Sequence, residues 1–172
     1  MRLVISKNYI GIDEPLIFLA GPIVGASNWQ DEAVEIIFSL NPNLIIASPK
    51  WGIRESIAKY IVNGDENYFR RARAWERHYI EIASKNGAIM FWLPGEEKHD
   101  CNKVYGAMTR IELGQWLTRY SLDNKVRFCI GSDGKFSELR TIEFDFKADA
   151  PDKVMFNSLE ETCREAVRLG SL

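Results

Sequence analysis

The residues predict an α/β chain: a single doubly wound, three-layer sandwich of the flavodoxin or Rossmann-like kind, around a mostly parallel sheet of about five strands. Three observations carry the prediction. Short apolar runs close on Pro or Gly, as strands buried on both faces do. Amphipathic stretches of helical period lie between those runs. At 172 residues, 46% hydrophobic and 12% aromatic, the chain suffices for one substantial core in one domain, residues 1–172.

Taken in order, Leu16-Ile-Phe-Leu-Ala-Gly-Pro-Ile23 is a buried strand with its closing turn. Ser27 or Asn28 caps a helix to about Leu40, where Asp31 and Glu32 meet the positive end of the helix dipole. Leu44-Ile-Ile-Ala-Ser-Pro49 is a second strand, and Asn63-Gly64-Asp65 marks a turn. From Glu66 to Lys85, Phe69, Ala72, Trp75, Tyr79, Ile82 and Ala83 recur at helical spacing, with Arg70, Arg71, Arg73 and Arg77 on the other faces. Asn86-Gly87 ends that helix. Ala88-Ile-Met-Phe-Trp-Leu-Pro94 is the third strand, and a polar loop leads from it into a helix through Glu112. Val126-Arg-Phe-Cys-Ile130 is the fourth. Residues 137–149 admit two readings, since Ile142, Phe144 and Phe146 alternate as in a strand while the stretch also suits a short helix. Val154-Met-Phe156 is a short apolar piece, and Ser158 with Glu161 forms a capping box that opens a last helix to about Leu169.

Charge excludes some partners. Lys plus Arg number 22 and Asp plus Glu 24, so no net field draws the chain to nucleic acid or to an anionic membrane. No apolar run approaches the roughly 20 residues of a membrane helix, and Lys7 and Asp13 break the N-terminal apolar residues, so no signal peptide is expected. Cys101, Cys129 and Cys163 are odd in number and lack C-x-x-C spacing, which argues for a reducing cytoplasm rather than for disulfides or zinc.

In an open parallel sheet the ligand site lies beyond the carboxyl ends of the strands, so the loops 21–28, 49–54 and 94–102 carry the interest. Gly21-Pro-Ile-Val-Gly25 reads either as a plain tight turn or as a loop along which a small ligand meets backbone. It has neither G-x-G-x-x-G nor G-K-[ST] spacing. The arginines of 70–77 read either as phosphate contacts or as a solvated or subunit-facing surface; Trp75 and Tyr79 read as core. His78 and His99 lack a nucleophile or carboxylate at recognisable spacing, so each is read as a lone exposed histidine. Glu112 is the exception among the acids. A helix sets it with Met108 and Trp116 one turn to either side and Tyr105 and Thr109 on the same flank. A carboxylate at such an address is paired, for instance with Arg110 or an arginine of a neighbouring helix, or it is held for chemistry.

Leu19-Ala-Gly-Pro-Ile23, Trp75-Glu-Arg-His-Tyr-Ile80, Ile89-Met-Phe-Trp-Leu-Pro94 and Arg110-Ile-Glu-Leu-Gly114 together resemble the nucleoside 2-deoxyribosyltransferase-like proteins, over residues 15 to 169. The resemblance implies that Glu112, two residues before Gly114, is the nucleophile and that Gly21 and Pro22 lie along the sugar. Two acidic residues that hold the base in that family have one candidate here, Glu96 or Glu97, and no acid in Tyr105-Gly-Ala-Met108; the family's Tyr on the first strand is absent from Ile17-Phe-Leu19. The pattern is closer to a divergent branch.

The expected site is therefore Glu112 as catalytic residue, with Gly21, Pro22, Trp29, Pro94, Glu96, Tyr105, Met108 and Arg110 as substrate contacts, and with no metal and no cofactor. The expected reaction moves a 2-deoxyribosyl group between nucleobases. Two other outcomes stay open: a deoxynucleoside 5'-monophosphate hydrolase, for which Lys50 and Arg54 are the nearby cations, and a non-catalytic nucleotide-binding module. A homo-oligomer is expected, from the apolar surface of the helices at 66–85 and around Glu112 and from the resemblance.

Overall fold

A computed structural model describes residues 1–172 and forms one six-stranded sheet in the order β1-β3-β2-β4-β5-β6, in which every neighbouring pair runs parallel. The strands are β1 Arg2–Ile5, β2 Leu16–Ala20, β3 Ile45–Ser48, β4 Gly87–Leu93, β5 Phe128–Ser132 and β6 Met155–Phe156. β2 and β4 lie at the centre, in register from Leu16 opposite Gly87 to Ala20 opposite Phe91, and every residue of both is buried. That is why their sequences are continuous apolar runs rather than alternating ones.

Alternation reappears in which face each residue serves. Phe18, Ala20, Ile89, Phe91 and Leu93 point into one core with α3 (Ala72–Lys85), α4 (Ala107–Leu122) and α5 (Leu139–Asp149). Ile17, Leu19, Ala88, Met90 and Trp92 point into the other, with α1 (Trp29–Leu40), the single turn α2 (Glu55–Ala58) and α6 (Leu159–Gly170). Helices on both faces of an all-parallel sheet make the doubly wound sandwich that the apolar runs predict.

Four local outcomes differ from the sequence reading or extend it. β1 is a strand too short for its pattern to stand out between Arg2 and Lys7, and with the two-residue β6 it brings the sheet to six strands. α3 starts at Ala72 rather than Glu66, because the residues before it are engaged elsewhere: Tyr68 stacks on Tyr9 at 3.9 Å, Phe69 packs edge-on to the same ring, and Tyr9 bridges to Asp65. Residues 139–149 are helix. Leu139, Ile142, Phe146 and Ala150 share one face against the first core, while Phe144, which suggested a strand, is 75% exposed. At α6 Ser158 caps the helix as expected, with Glu161 N donating to Ser158 Oγ at 3.2 Å, but the Glu161 carboxylate accepts from the Ser158 hydroxyl at 2.9 Å and not from its backbone N–H, so the box is formed in part.

The three cysteines are unpaired, no helix is long and apolar enough to cross a membrane, and no group of three or more His, Cys, Asp or Glu side chains converges as a metal cage.

Candidate active site

A parallel sheet places all its carboxyl ends at one edge, and a cavity of about 420 Å³ opens there. Its walls come from the turn after β2 (Gly21 to Val24), from Pro49 after β3, and from the long loop after β4 with the start of α4. The three loops singled out in the sequence thus meet at one place.

The turn after β2 is built tightly. Trp29 Nε1 donates to Pro22 O at 2.9 Å and the Gln30 amide donates to the same carbonyl at 3.2 Å, so the first turn of α1 fixes the turn's path. The loop after β4 is tied to it, because Glu97 N and Lys98 N both donate to Gly25 O, at 2.8 and 3.1 Å. Gly25 takes φ +84° and approaches Lys98 O too closely for a Cβ, so a glycine is required there. On the far side Ser132 Oγ donates to Leu93 O and Asp133 accepts from Gly95 N, so β5 braces the start of that loop.

Glu112 sits on the cavity wall in the middle of α4 and is only 8% exposed. Arg73, in the first turn of α3, donates through Nη1 to Glu112 Oε1 and to Glu76 Oε2, the latter at 3.0 Å. Oε2 of Glu112 accepts no hydrogen bond from the protein. Burial pushes the Glu112 carboxyl above the ordinary carboxylate range, Arg73 pulls it back and Glu76 adds to the upward push. Glu112 is thus paired with a neighbouring helix's arginine, one of the outcomes the sequence allowed, and at the same time stands on a cavity wall.

Of the expected contacts, Gly21, Pro22, Glu96, Tyr105 and Met108 line the cavity beside Glu112. Trp29, Pro94 and Arg110 do not. The Trp29 indole is used to hold the Pro22 carbonyl. Pro94 presents its carbonyl to the Tyr105 hydroxyl at 2.9 Å. Arg110 lies 4.4 Å over the Phe136 ring and donates to Ser137, bracing α4 rather than facing the cavity. Burial and the nearby Asp133, Glu96 and Glu97 carboxylates raise the Tyr105 phenol, so it stays protonated and acts as a hydroxyl donor.

Several wall residues were outside the sequence reading: Phe18, Glu76, Lys98, Asp100 and Lys103. Glu76 stood in the quoted Trp75-Glu-Arg-His motif, which was the available signal. Arg73 departs from the solvated arginine face on which Arg70, Arg71 and Arg77 remain. Asp31 is fully buried, beyond what a helix dipole explains: it takes the Lys50 ammonium at 2.6 Å and the Arg54 backbone N–H at 3.1 Å. His78 is half-buried against Tyr9, Phe69 and Tyr79 instead of lying open to solvent, and burial lowers its pKa. Trp75 and Tyr79 are core, as read, with Trp75 Nε1 donating to Asn8 O at 2.8 Å.

Comparison with protein-family models, with curated proteins and with solved structures finds no match to this chain, so the case for its chemistry rests on the site itself.

Proposed function

We propose that the chain cleaves and exchanges the N-glycosidic bond of a 2-deoxynucleoside or deoxynucleotide, with Glu112 as nucleophile. One observation carries the proposal: a nearly buried carboxylate, held by one oxygen and free at the other, on the wall of a cavity at the carboxyl edge of the sheet beside Gly21. A 2-deoxyribosyl carbon lacks the neighbouring hydroxyl and accepts positive charge readily, so a single well-placed carboxylate captures it. Oε2 bonds to the anomeric carbon as the carbon–nitrogen bond breaks, and that electron pair leaves with the base. The base needs a proton, and Glu96 on the same wall is the acid within the site that would supply it, while Asp100 is kept as a carboxylate by the Asn102 backbone N–H and Lys103. An acceptor base or water then displaces Glu112, and two displacements retain configuration.

Phe18, Ala20, Pro22, Ile23 and Met108 give the cavity an apolar side that suits a flat heterocycle. Of the two other readings, the monophosphate hydrolase loses its expected cradle, since Lys50 is paired with Asp31 and Arg54 lies against Asp31 and Glu35; Lys98 and Lys103 on the cavity wall are the cations left for it. Incubation with a panel of deoxynucleosides, deoxynucleotides and free bases, read by chromatography, tests the proposal. Absence of any cleavage overturns it in favour of a nucleotide-binding module.

The proposal includes a second copy. On α4, Met108 and Ile111 are about half exposed and Leu122 is 83% exposed; with Gln115 and Thr118 they form one stripe at alternating spacings of three and four residues. Such a stripe fits the same stripe of another α4, and Met108 belongs to the cavity wall as well, so the interface would abut the site.

A further inference from the structure

We infer that Arg73 is the positioning residue of the reaction: it grips Oε1 of Glu112 across the contact between α3 and α4, and so presents Oε2 to the sugar. This rests on the glycosyl-transfer reading above. The strand beside Glu112 offers Phe18 and Ala20, neither of which has a side-chain polar group to hold a carboxylate. Arg73 takes that task from another layer of the fold.

The charges around Glu112 can be named from every side. On α3, Arg73 and Glu76 share one hydrogen-bonded cluster with it. Across the cavity stand Glu96, Lys98, Asp100 and Lys103 of the loop after β4. Glu112 also lines a second cavity of about 680 Å³, together with Arg73, Arg77, Glu81 and Arg119, where Glu81 holds Arg119 at 2.5 Å. Only Arg73 bonds to Glu112.

A guanidinium shared by two carboxylates suits both half-reactions. While Glu112 is an anion, Arg73 offsets the cost of keeping that charge in a site poor in water. When Oε2 forms the ester, Glu112 becomes neutral, and Arg73 keeps Glu76 as partner, so no cation is stranded. In the second displacement the acceptor bonds to the anomeric carbon, the bond from that carbon to Oε2 breaks, and the electron pair returns to Glu112. Arg73 is in place to receive the carboxylate, which makes Glu112 a better leaving group. Glu76 sets how strongly Arg73 pulls.

The test is an NMR titration of isotope-labelled glutamate carboxyl carbons, without substrate, with the Glu112 signal identified by its loss in Glu112→Gln. Arg73→Gln is expected to move the Glu112 midpoint upward by about one to three pH units. Arg73→Lys should restore part of the shift, since an ammonium keeps the charge on a shorter, differently placed head group. Glu76→Gln should move the midpoint the other way, downward. In turnover, the rise of kcat/KM with pH should follow the midpoint in each variant. An unchanged midpoint in Arg73→Gln and Arg73→Lys, or a shift of the same sign in the Arg73 and Glu76 variants, overturns the assignment. Should Arg73→Gln fail to fold, the opposite signs expected of Arg73→Lys and Glu76→Gln carry the test. Absence of turnover with every deoxynucleoside and deoxynucleotide would sink the glycosyl-transfer reading instead, and the titration separates that failure from this one.

Discussion

Gly21 lies against the indole of Trp29: a Cβ placed on it would stand 2.6 Å from Trp29 Cζ2 and 2.4 Å from the carbonyl oxygen of Trp92. The same indole is fixed by its bond to Pro22 O, so it has no room to swing aside. Gly21→Ala must therefore displace either the turn or β4. We expect a loss of about 1–3 kcal/mol in unfolding free energy, and weaker nucleoside binding from the distorted wall. An urea midpoint and a binding constant both equal to wild type would contradict this account of the turn.

Glu112→Gln preserves size and removes the charge that attacks in the proposed reaction. Turnover should fall by roughly 10³-fold or more. Stability should move differently. The folded-state pKa of Glu112 lies above its unfolded value, so its contribution is fully present below the ordinary carboxylate pKa and is lost as pH rises through the raised one. At neutral pH the ionised Glu112 is thus a burden on the fold, and Gln relieves it. The variant should melt no lower than wild type at neutral pH, and its advantage should shrink as the buffer is acidified. An inactive variant that melts well below wild type at pH 7 would point to a structural ion pair.

The parts of this picture legible in the sequence are those decided within one element. Full burial of β2 and β4 wrote itself as unbroken apolar runs, and the Ser158 cap on Glu161 N lies within four residues. Glu112 stood out because its helical neighbours are Met108 and Trp116. Arg73 did not, since its partner is 39 positions away and nothing local separates it from Arg70, Arg71 and Arg77. Asp31 had an adequate local explanation in the helix dipole, which hid its tertiary role with Lys50. The start of α3 was misplaced because Phe69 satisfies the helical period by sequence while packing from a loop.

Assembly has its own test. The apolar residues of α3, Trp75, Tyr79, Ile80 and Ala83, are used inside the fold, and the surplus lies on α4 at Met108, Ile111 and Leu122. Ile111→Asp puts a charge into that stripe without touching the core, since Ile111 is 51% exposed. We expect wild type to scatter light as a dimer or larger at micromolar concentration and Ile111→Asp to scatter as a monomer of unchanged melting profile. A monodisperse wild-type monomer would remove the second copy from the proposal.

Transfer and hydrolysis share the glycosyl-enzyme and part at the next step, when a base or a water reaches the anomeric carbon. The cavity favours the base. Its apolar side, from Phe18 to Met108, offers a heterocycle contact area that water cannot use, and Tyr105 adds an aromatic edge with its hydroxyl turned to the Pro94 and Gly95 carbonyls. Trp116 does not join this slot: it is buried in the core and faces the second cavity. On the proposed reading the acid missing from residues 105–108 has substitutes on the loop after β4: Glu96 would protonate a departing base and, as the carboxylate so formed, take the proton released by an arriving one, while Asp100, held below the usual carboxylate range by the Asn102 backbone N–H, would hold the base as an acceptor. A free purine or pyrimidine added to a deoxynucleoside donor should therefore give a new deoxynucleoside faster than free deoxyribose accumulates. Glu96→Gln should lower exchange by about 10²-fold, and Asp100→Asn, which removes a hydrogen-bond acceptor and not a proton donor, should cost less. Deoxyribose release indifferent to millimolar acceptor would refute transfer and favour the hydrolase.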